Sequence, residues 1–194
     1  MMTATAQRML ESATKQFAEK GYSGVSMRSI AAATGTTQAA IYHHFPNKQA
    51  LYDAVLARHF EATITVVVDG LADIADPEQR VRELVRRLVA MADEDAEFRQ
   101  LYLRELLEGD SARLATLADN IYAGLKACIT DLADDLNAGV NTHLFLFSII
   151  GLICHHLEAR ELAMLVPGNP KVNRELSTLS EHISSLLLYG VKAQ

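Results

Sequence analysis

Residues 27–48 read MRSIAAATGTTQAAIYHHFPNK, two short helical runs joined by a glycine. In the first run Ile30 and Ala31 share one side, with Met27 and Thr34 a turn away. Gly35 then stands where a helix C-cap needs positive φ, a conformation that brings the Cβ of any other residue into conflict with its own backbone. A second helix starts at once. The Thr37 hydroxyl can accept a hydrogen bond from an otherwise orphaned amide, and Gln38 to His44 follow until Phe45 and Pro46 end the run. Only Ile41 and Phe45, four apart, supply an apolar stripe, whereas Gln38, Ala39, Ala40, Tyr42, His43 and His44 are small or hydrogen-bonding. One edge belongs to a core and the rest is left for a partner.

The remainder of the chain is expected to be helical as well. It has 194 residues, 49% hydrophobic and 22% charged, which suits a soluble globular protein with a sizeable core. Only four prolines and ten glycines interrupt long segments rich in Ala, Leu and Glu, so the fold class is all-α, with no strand expected. No basic segment followed by an apolar run opens the chain, so export is not signalled and the cytoplasm is the expected compartment. The most apolar window, Leu144 to Cys154, is too short to span a bilayer and is bounded by His143 and His155. Cys128 and Cys154 form no CxxC pair, which argues against a disulfide framework or a zinc site.

Charge divides the chain. Through residue 48 the basic residues Arg8, Lys15, Lys20, Arg28 and Lys48 outnumber the acids Glu11 and Glu19, a formal balance of +3; with a net of −6 overall, −9 falls on the rest. A basic end on an acidic body suits a protein that meets phosphate with one part and keeps the other away from it.

Periodicity then predicts the remaining helices. Ala6 to Lys20 carries Met9, Leu10, Ala13, Phe17 and Ala18 on one face and stops at Gly21. Asn47 can cap a long helix from Lys48 into Val66 to Val68, and Asp76-Pro77-Glu78 starts another that buries Val81, Leu84, Val85, Leu88 and Met91. Phe98 to Glu108 follows. A single helix is expected from Ser111 to Leu136, with Leu114, Leu117, Ile121, Leu125, Cys128, Ile129 and Leu132 inward. After a break at Asn137 to Asn141, one helix is expected from Thr142 to Met164, then a loop at Pro167, Gly168 and Pro170, and a last helix from Asn173 to Tyr189. That is about nine helices.

The run FAEKGYSGVSMRSIAAATGTTQAAIYHHFPNKQAL, residues 17–51, resembles the DNA-binding domain of the TetR family of transcriptional regulators. The likeness is carried by Phe-Ala-x-x-Gly-Tyr at the end of the first helix, by Ile-Ala-x-x-x-Gly at the turn, and by Ile-Tyr-His-His-Phe-x-Asn-Lys. It implies an N-terminal three-helix helix-turn-helix DNA-binding domain over residues 1–48, a linking helix over 47–69, and a C-terminal helical bundle over 49–194 for ligand binding and dimerisation. It further implies that Thr37, Gln38, Ala39 and Ala40 face the major groove, with Gln38 placed to pair bidentately with adenine. Tyr42 and His43 are then phosphate or sugar contacts, Arg28 and Lys48 grip the backbone on either side, and amides at Ser26 or Thr37 add helix N-terminus contacts. His44 divides between DNA contact and packing. Family members often carry Gly and Thr or Ser where this chain has Ala39 and Ala40, so a hydroxyl contact gives way to thymine-methyl contact.

In the body, Phe98, Tyr102, Tyr122, Lys126, His143, Phe147 and Cys154 are positioned to line an effector pocket, each with core packing as its plainer role. Ser148, Gly151, Leu152 and His155 on one helix, with Leu176, Leu179, Ile183, Leu186 and Leu187 on the last, offer more apolar surface than one subunit needs, which suits a homodimer. Expected partners are double-stranded operator DNA, a second copy and an unknown small-molecule effector, with no membrane. His155, His156 and Glu158 fit neither HExxH nor the Glu-x-x-His pattern of di-iron bundles, so no metal is expected. Without a nucleophile beside a base, a Gly-rich phosphate loop or a metal signature, an enzyme with sites around His143, His155 and Glu158 is the weaker alternative, and no cofactor is expected. A helical adaptor would leave the basic head unexplained.

Overall fold

The computed structural model describes residues 3–136, 141–167 and 175–190, and among them all regular structure is helical. Eleven α-helices follow in order: α1 Ala4–Lys20, α2 Met27–Thr34, α3 Gln38–His44, α4 Lys48–Val68, α5 Pro77–Glu94, α6 Ala96–Glu108, α7 Ser111–Leu117, α8 Ala123–Asp135, α9 Thr142–Glu158, α10 Arg160–Leu165 and α11 Leu176–Tyr189. Most of the expected break at Asn137 to Asn141, most of the loop at Pro167 to Pro170, and the Asn173 start of the last helix lie outside the described residues.

Chain contacts gather these helices into two compact units. The first holds Met1–Ala62 together with Ala96–Ile121, and the second Thr63–Asp95 together with Tyr122–Gln194. In the first unit α1 packs on α2 and α6, and Met9, Leu10, Phe17, Ile30, Ile41, Leu51, Leu56, Phe60 and Leu101 form a fully buried core. Side chains of this size each stabilise the fold by about 1.5–3 kcal/mol when removed from water. The C-terminal end of α1 is closed from a distance: Arg104 of α6 donates to the carbonyls of Ala18 (2.9 Å) and Glu19 (2.8 Å). Those carbonyls have no partner inside the helix, and a cation there also suits the helix dipole.

The second unit is built on α5, which packs against α11, α9 and α8. Val81, Leu84, Val85, Leu88, Leu125, Ile129, Ile149, Ile153 and Ile183 fill its interior. Its margins are tied by ion pairs of α5 arginines, Arg80 with Asp135 (2.6 Å) and Arg82 with Glu181 (2.5 Å). Arg87 donates to the carbonyls of Val67 (3.2 Å) and Asp69 (2.5 Å), closing the end of α4 as Arg104 closes that of α1.

Two expected helices are interrupted. The run from Ser111 to Leu136 is divided by a π-helical turn at Ala118–Tyr122, which inserts extra backbone and resets the inward face. Leu117, Ile121, Leu125, Ile129 and Leu132 stay buried across it, while Leu114, expected inward, is 37% exposed because Arg113 takes the inner position on α7. The run from Thr142 to Met164 turns at Ala159, whose ψ of 6° is not helical. Arg160 pairs with Asp93 of α5 (2.6 Å), and Leu162, Met164 and Leu165 of α10 face solvent.

Candidate nucleic-acid interface

The turn between α2 and α3 forms as its residues dictate. Gly35 is left-handed (φ 64°, ψ 28°) and its N–H reaches the Ala31 and Ala32 carbonyls, while the Thr36 N–H closes on Ala31 (3.0 Å). A Cβ at Gly35 would meet nothing within 4 Å, so glycine is needed there for its backbone conformation and not for space. Thr37 Oγ1 accepts from the Ala40 N–H (3.2 Å) and starts α3 within two residues of the turn. Upstream, Ser26 and Ser29 cap α2 reciprocally: Ser26 Oγ accepts from the Ser29 N–H (3.0 Å), and Ser29 Oγ accepts from the Ser26 N–H (3.2 Å). The Ser26 amide, one of the expected donors to DNA, is therefore engaged within its own cap.

Ile41 and Phe45 hold α3 down, at 0% and 6% exposure. The other side of the helix is open. Thr37, Gln38, Ala39, Tyr42 and His43 are exposed, Ala40 is half-buried, and Arg28 is exposed on the first turn of α2. His44 is half-buried and its ring tilts against Phe45. From Gly21 to Tyr52 the sequence has no Asp or Glu, so no carboxylate of this segment competes for its donors. The result is a small-residue, donor-rich, acid-free helix face on a buried two-point anchor.

Lys48 opens α4, just after Asn47 Oδ1 accepts from the Ala50 N–H (2.7 Å). Its Nζ stands over the Tyr22 ring, 4.3 Å from the centroid. Burial, and then the positive charge of Arg113, hold its pKa below the usual lysine value. Sequence reasoning missed what lies behind this ring. Tyr52 Oη donates to Glu105 Oε1 (2.5 Å), Arg113 Nε donates to Glu105 Oε2 (3.0 Å), and Arg113 stands 4.6 Å from the Tyr22 centroid. Glu105 is 1% exposed and Arg113 8%. Burial and the hydrogen bond to Glu105 push the Tyr52 pKa up. Glu105 sits among the apolar residues of α6, and Arg113 lies beyond the break between α6 and α7, so no helical spacing marks the pair.

Of the expected effector-pocket residues, Phe98 and Tyr102 are buried in the first unit, Phe98 edge-on to Phe60 (4.8 Å). The others belong to the second unit: Tyr122 stacks on Phe147 (4.8 Å), Cys154 is buried, and Lys126 and His143 are exposed. Two surface clefts are formed by other residues of that unit. One, of about 610 Å³, is lined by Ser177, Glu181, His182, Ser185 and Tyr189; the other, of about 270 Å³, by His155, His156, Arg160, Leu162 and Leu179. His156 is held below its ordinary pKa by burial and by the neighbouring His182 and His155. Among the expected dimer residues, Ser148, Gly151 and His155 are exposed, Leu152, Leu176, Leu179, Leu186 and Leu187 are half-buried, and Ile183 lies wholly in its own subunit's core. Among the described residues no cluster of His, Cys, Asp and Glu could hold a metal, and no helix is long and apolar enough to cross a membrane.

Residues 9–55 match the family of bacterial regulatory proteins, tetR family. The chain is 28% identical over 149 residues to the HTH-type transcriptional activator FasR of Mycolicibacterium smegmatis, covering 75% of this chain and 66% of that protein. It is 33% identical over 126 residues to the HTH-type transcriptional repressor AcnR of Corynebacterium diphtheriae, covering 61% of this chain and 66% of that protein. The fatty acid degradation regulator FadR from Bacillus halodurans has the same fold, with a TM-score of 0.80 at 17% identity over the whole of both chains.

Proposed function

Because this chain belongs to the tetR family of bacterial regulatory proteins, we propose that it is a one-component transcriptional repressor that binds a pseudo-palindromic operator as a homodimer and answers to a small-molecule effector in its helical body. The observation that carries the DNA reading is the exposed, acid-free face of α3, anchored only through Ile41 and Phe45. In this reading residues 1–48 are the DNA-binding domain and residues 49–194 the ligand-binding and dimerisation domain. Gln38 reads an adenine edge, Ala39 and Ala40 lie against thymine methyl groups, and Tyr42, His43, Arg28 and Lys48 contact the backbone. Two α3 helices would sit roughly 34–36 Å apart in successive major grooves, so a small pivot of either head loosens both contacts.

Activation is the second reading, favoured by the likeness to FasR, whose name is that of an activator. Reporter transcription from a bound promoter separates the two by the sign of the response. The name of the FadR neighbour makes fatty acyl compounds the first effectors to try. The DNA reading is tested by recovering duplexes from a random pool and titrating Gln38→Ala and Lys48→Ala proteins. Gln38→Ala relaxes base preference by about 1–3 kcal/mol at one position, and Lys48→Ala weakens binding to every sequence while lowering the salt slope by about one. If both variants bind like the parent, α3 is not the recognition helix.

A further inference from the structure

Lys48 carries a charge that meets a ring and no carboxylate. Among the described residues no carboxylate pairs with it, whereas Arg113, the other cation over the same ring, is matched by Glu105 (3.0 Å) and Asp110 (3.2 Å). A lysine with four free torsions gives up considerable rotamer entropy when it settles on a phosphate. Here the tip is already held, because an ammonium within about 6 Å of an aromatic centroid is attracted by the ring quadrupole.

The ring is fixed as firmly as the cation. Tyr22 stacks along Phe17 (6.1 Å), takes the edge of Tyr52 (5.1 Å), and carries the Arg113 guanidinium. Tyr52 donates to one oxygen of buried Glu105 and Arg113 to the other. Arg113 also donates to the Glu108 carbonyl (2.7 Å), which ties α7 to the end of α6. Burial and the Arg113 charge both disfavour the Lys48 ammonium where it stands, so an arriving anion relieves a cost already present.

We propose that Tyr22 is a positioning residue for DNA binding: its ring presents the Lys48 ammonium to a backbone phosphate, and Arg113 and Tyr52, joined through Glu105, hold that ring in place. The proposal rests on the DNA reading above and adds α6 and α7 to the parts on which the phosphate contact depends. Tyr22 itself need not touch DNA.

The test is a double-mutant cycle on full-length protein. Tyr22→Leu and Tyr22→Met remove the ring but keep apolar volume, and each is combined with Lys48→Ala. Binding is measured against a duplex recovered from a random pool and against an unselected duplex of equal length, each across a salt series. Tyr22→Leu and Tyr22→Met are expected to weaken both duplexes by about three- to tenfold, to lower the salt slope as Lys48→Ala does, and to add nothing in the Lys48→Ala background. Tyr22→Phe, which keeps the ring, restores the binding lost in Tyr22→Leu. Losses that add fully to that of Lys48→Ala, or ring-less variants that bind like the parent, overturn the proposal. If Gln38→Ala changes preference on the recovered duplex while the Tyr22 variants change nothing, the positioning role falls and the DNA reading stands. A protein that recovers no duplex at all overturns both.

Discussion

The open faces of α3 and α9 differ in kind. On α3 the open residues are Gln38, Ala39, Tyr42 and His43, small or hydrogen-bonding, in a stretch without a carboxylate. On α9 they are Leu144 (67% exposed) and Phe147 (54%), with Ser148 and Gly151 beside them. Each helix buries one apolar side, but the polar open face of α3 offers donors to a phosphate-rich surface and the apolar open face of α9 offers area to another protein surface. Their surroundings differ too. The unit that carries α3 also holds a buried ion pair and a ring with two cations, whereas α9 buries Ile149, Ile150 and Ile153.

The contrast is broken most severely at the ion pair. Arg113→Met leaves the Glu105 carboxylate buried without its cation, and the expected loss of stability is about 3–5 kcal/mol, read as a fall in denaturant midpoint. A loss under about 1 kcal/mol would mean that water reaches Glu105 and that the head is no better sealed than the surface.

Gly151 sharpens the other side. It lies inside α9, where glycine costs about 1 kcal/mol relative to alanine, and a Cβ there would meet nothing within 4 Å of its own chain. Gly151→Arg should therefore fold at least as stably as the parent while weakening self-association by at least about tenfold, the effect of overpacking a close helix contact. Sedimentation equilibrium reads this directly. Unchanged self-association would remove α9 from the dimer face.

The smallest effect concerns the solvated margin of α5. Hydrogen bonds from Arg86, and secondarily from Arg87, draw the Glu83 pKa down from the ordinary 4.5 to about 2. A depressed carboxylate pKa adds stability that is present above the unfolded value and lost as pH falls through the folded one, so the window lies between about 4.5 and about 2. Glu83 remains partly open to solvent, and screening limits the contribution to under about 1 kcal/mol. Glu83→Gln should show that deficit at neutral pH and converge with the parent near the bottom of the window, as followed by urea unfolding at several pH values.

Much of the head was legible because its signals are local. Gly35, Thr37, Ser26 and Asn47 each act on backbone within four residues, and the Ile41 and Phe45 stripe is a spacing of four. The body was legible in helix content and less so in continuity. Neither the π-helical turn at Ala118–Tyr122 nor the turn at Ala159 has a glycine or proline to mark it. Distant partners act beside each: Arg113, bound to Glu105, takes the inner side of α7 in place of Leu114, and Arg160 pairs with Asp93 of α5. The expected pocket residues share hydrophobic or aromatic character, but Phe98 and Tyr102 belong to a different unit from Tyr122, Phe147 and Cys154.

Neighbours along the chain dictate the all-helical class, the two short helices around Gly35 and the open polar face of α3, since capping, turn conformation and helical period are local properties. Packing between distant helices brings Lys48 over Tyr22, and Tyr52 and Arg113 together on Glu105. Tyr52 and Glu105 stand 53 residues apart, and no local periodicity links them. A buried charge must find its partner wherever the packing brings one, because leaving it alone in the interior costs several kcal/mol on the order of the fold's own stability.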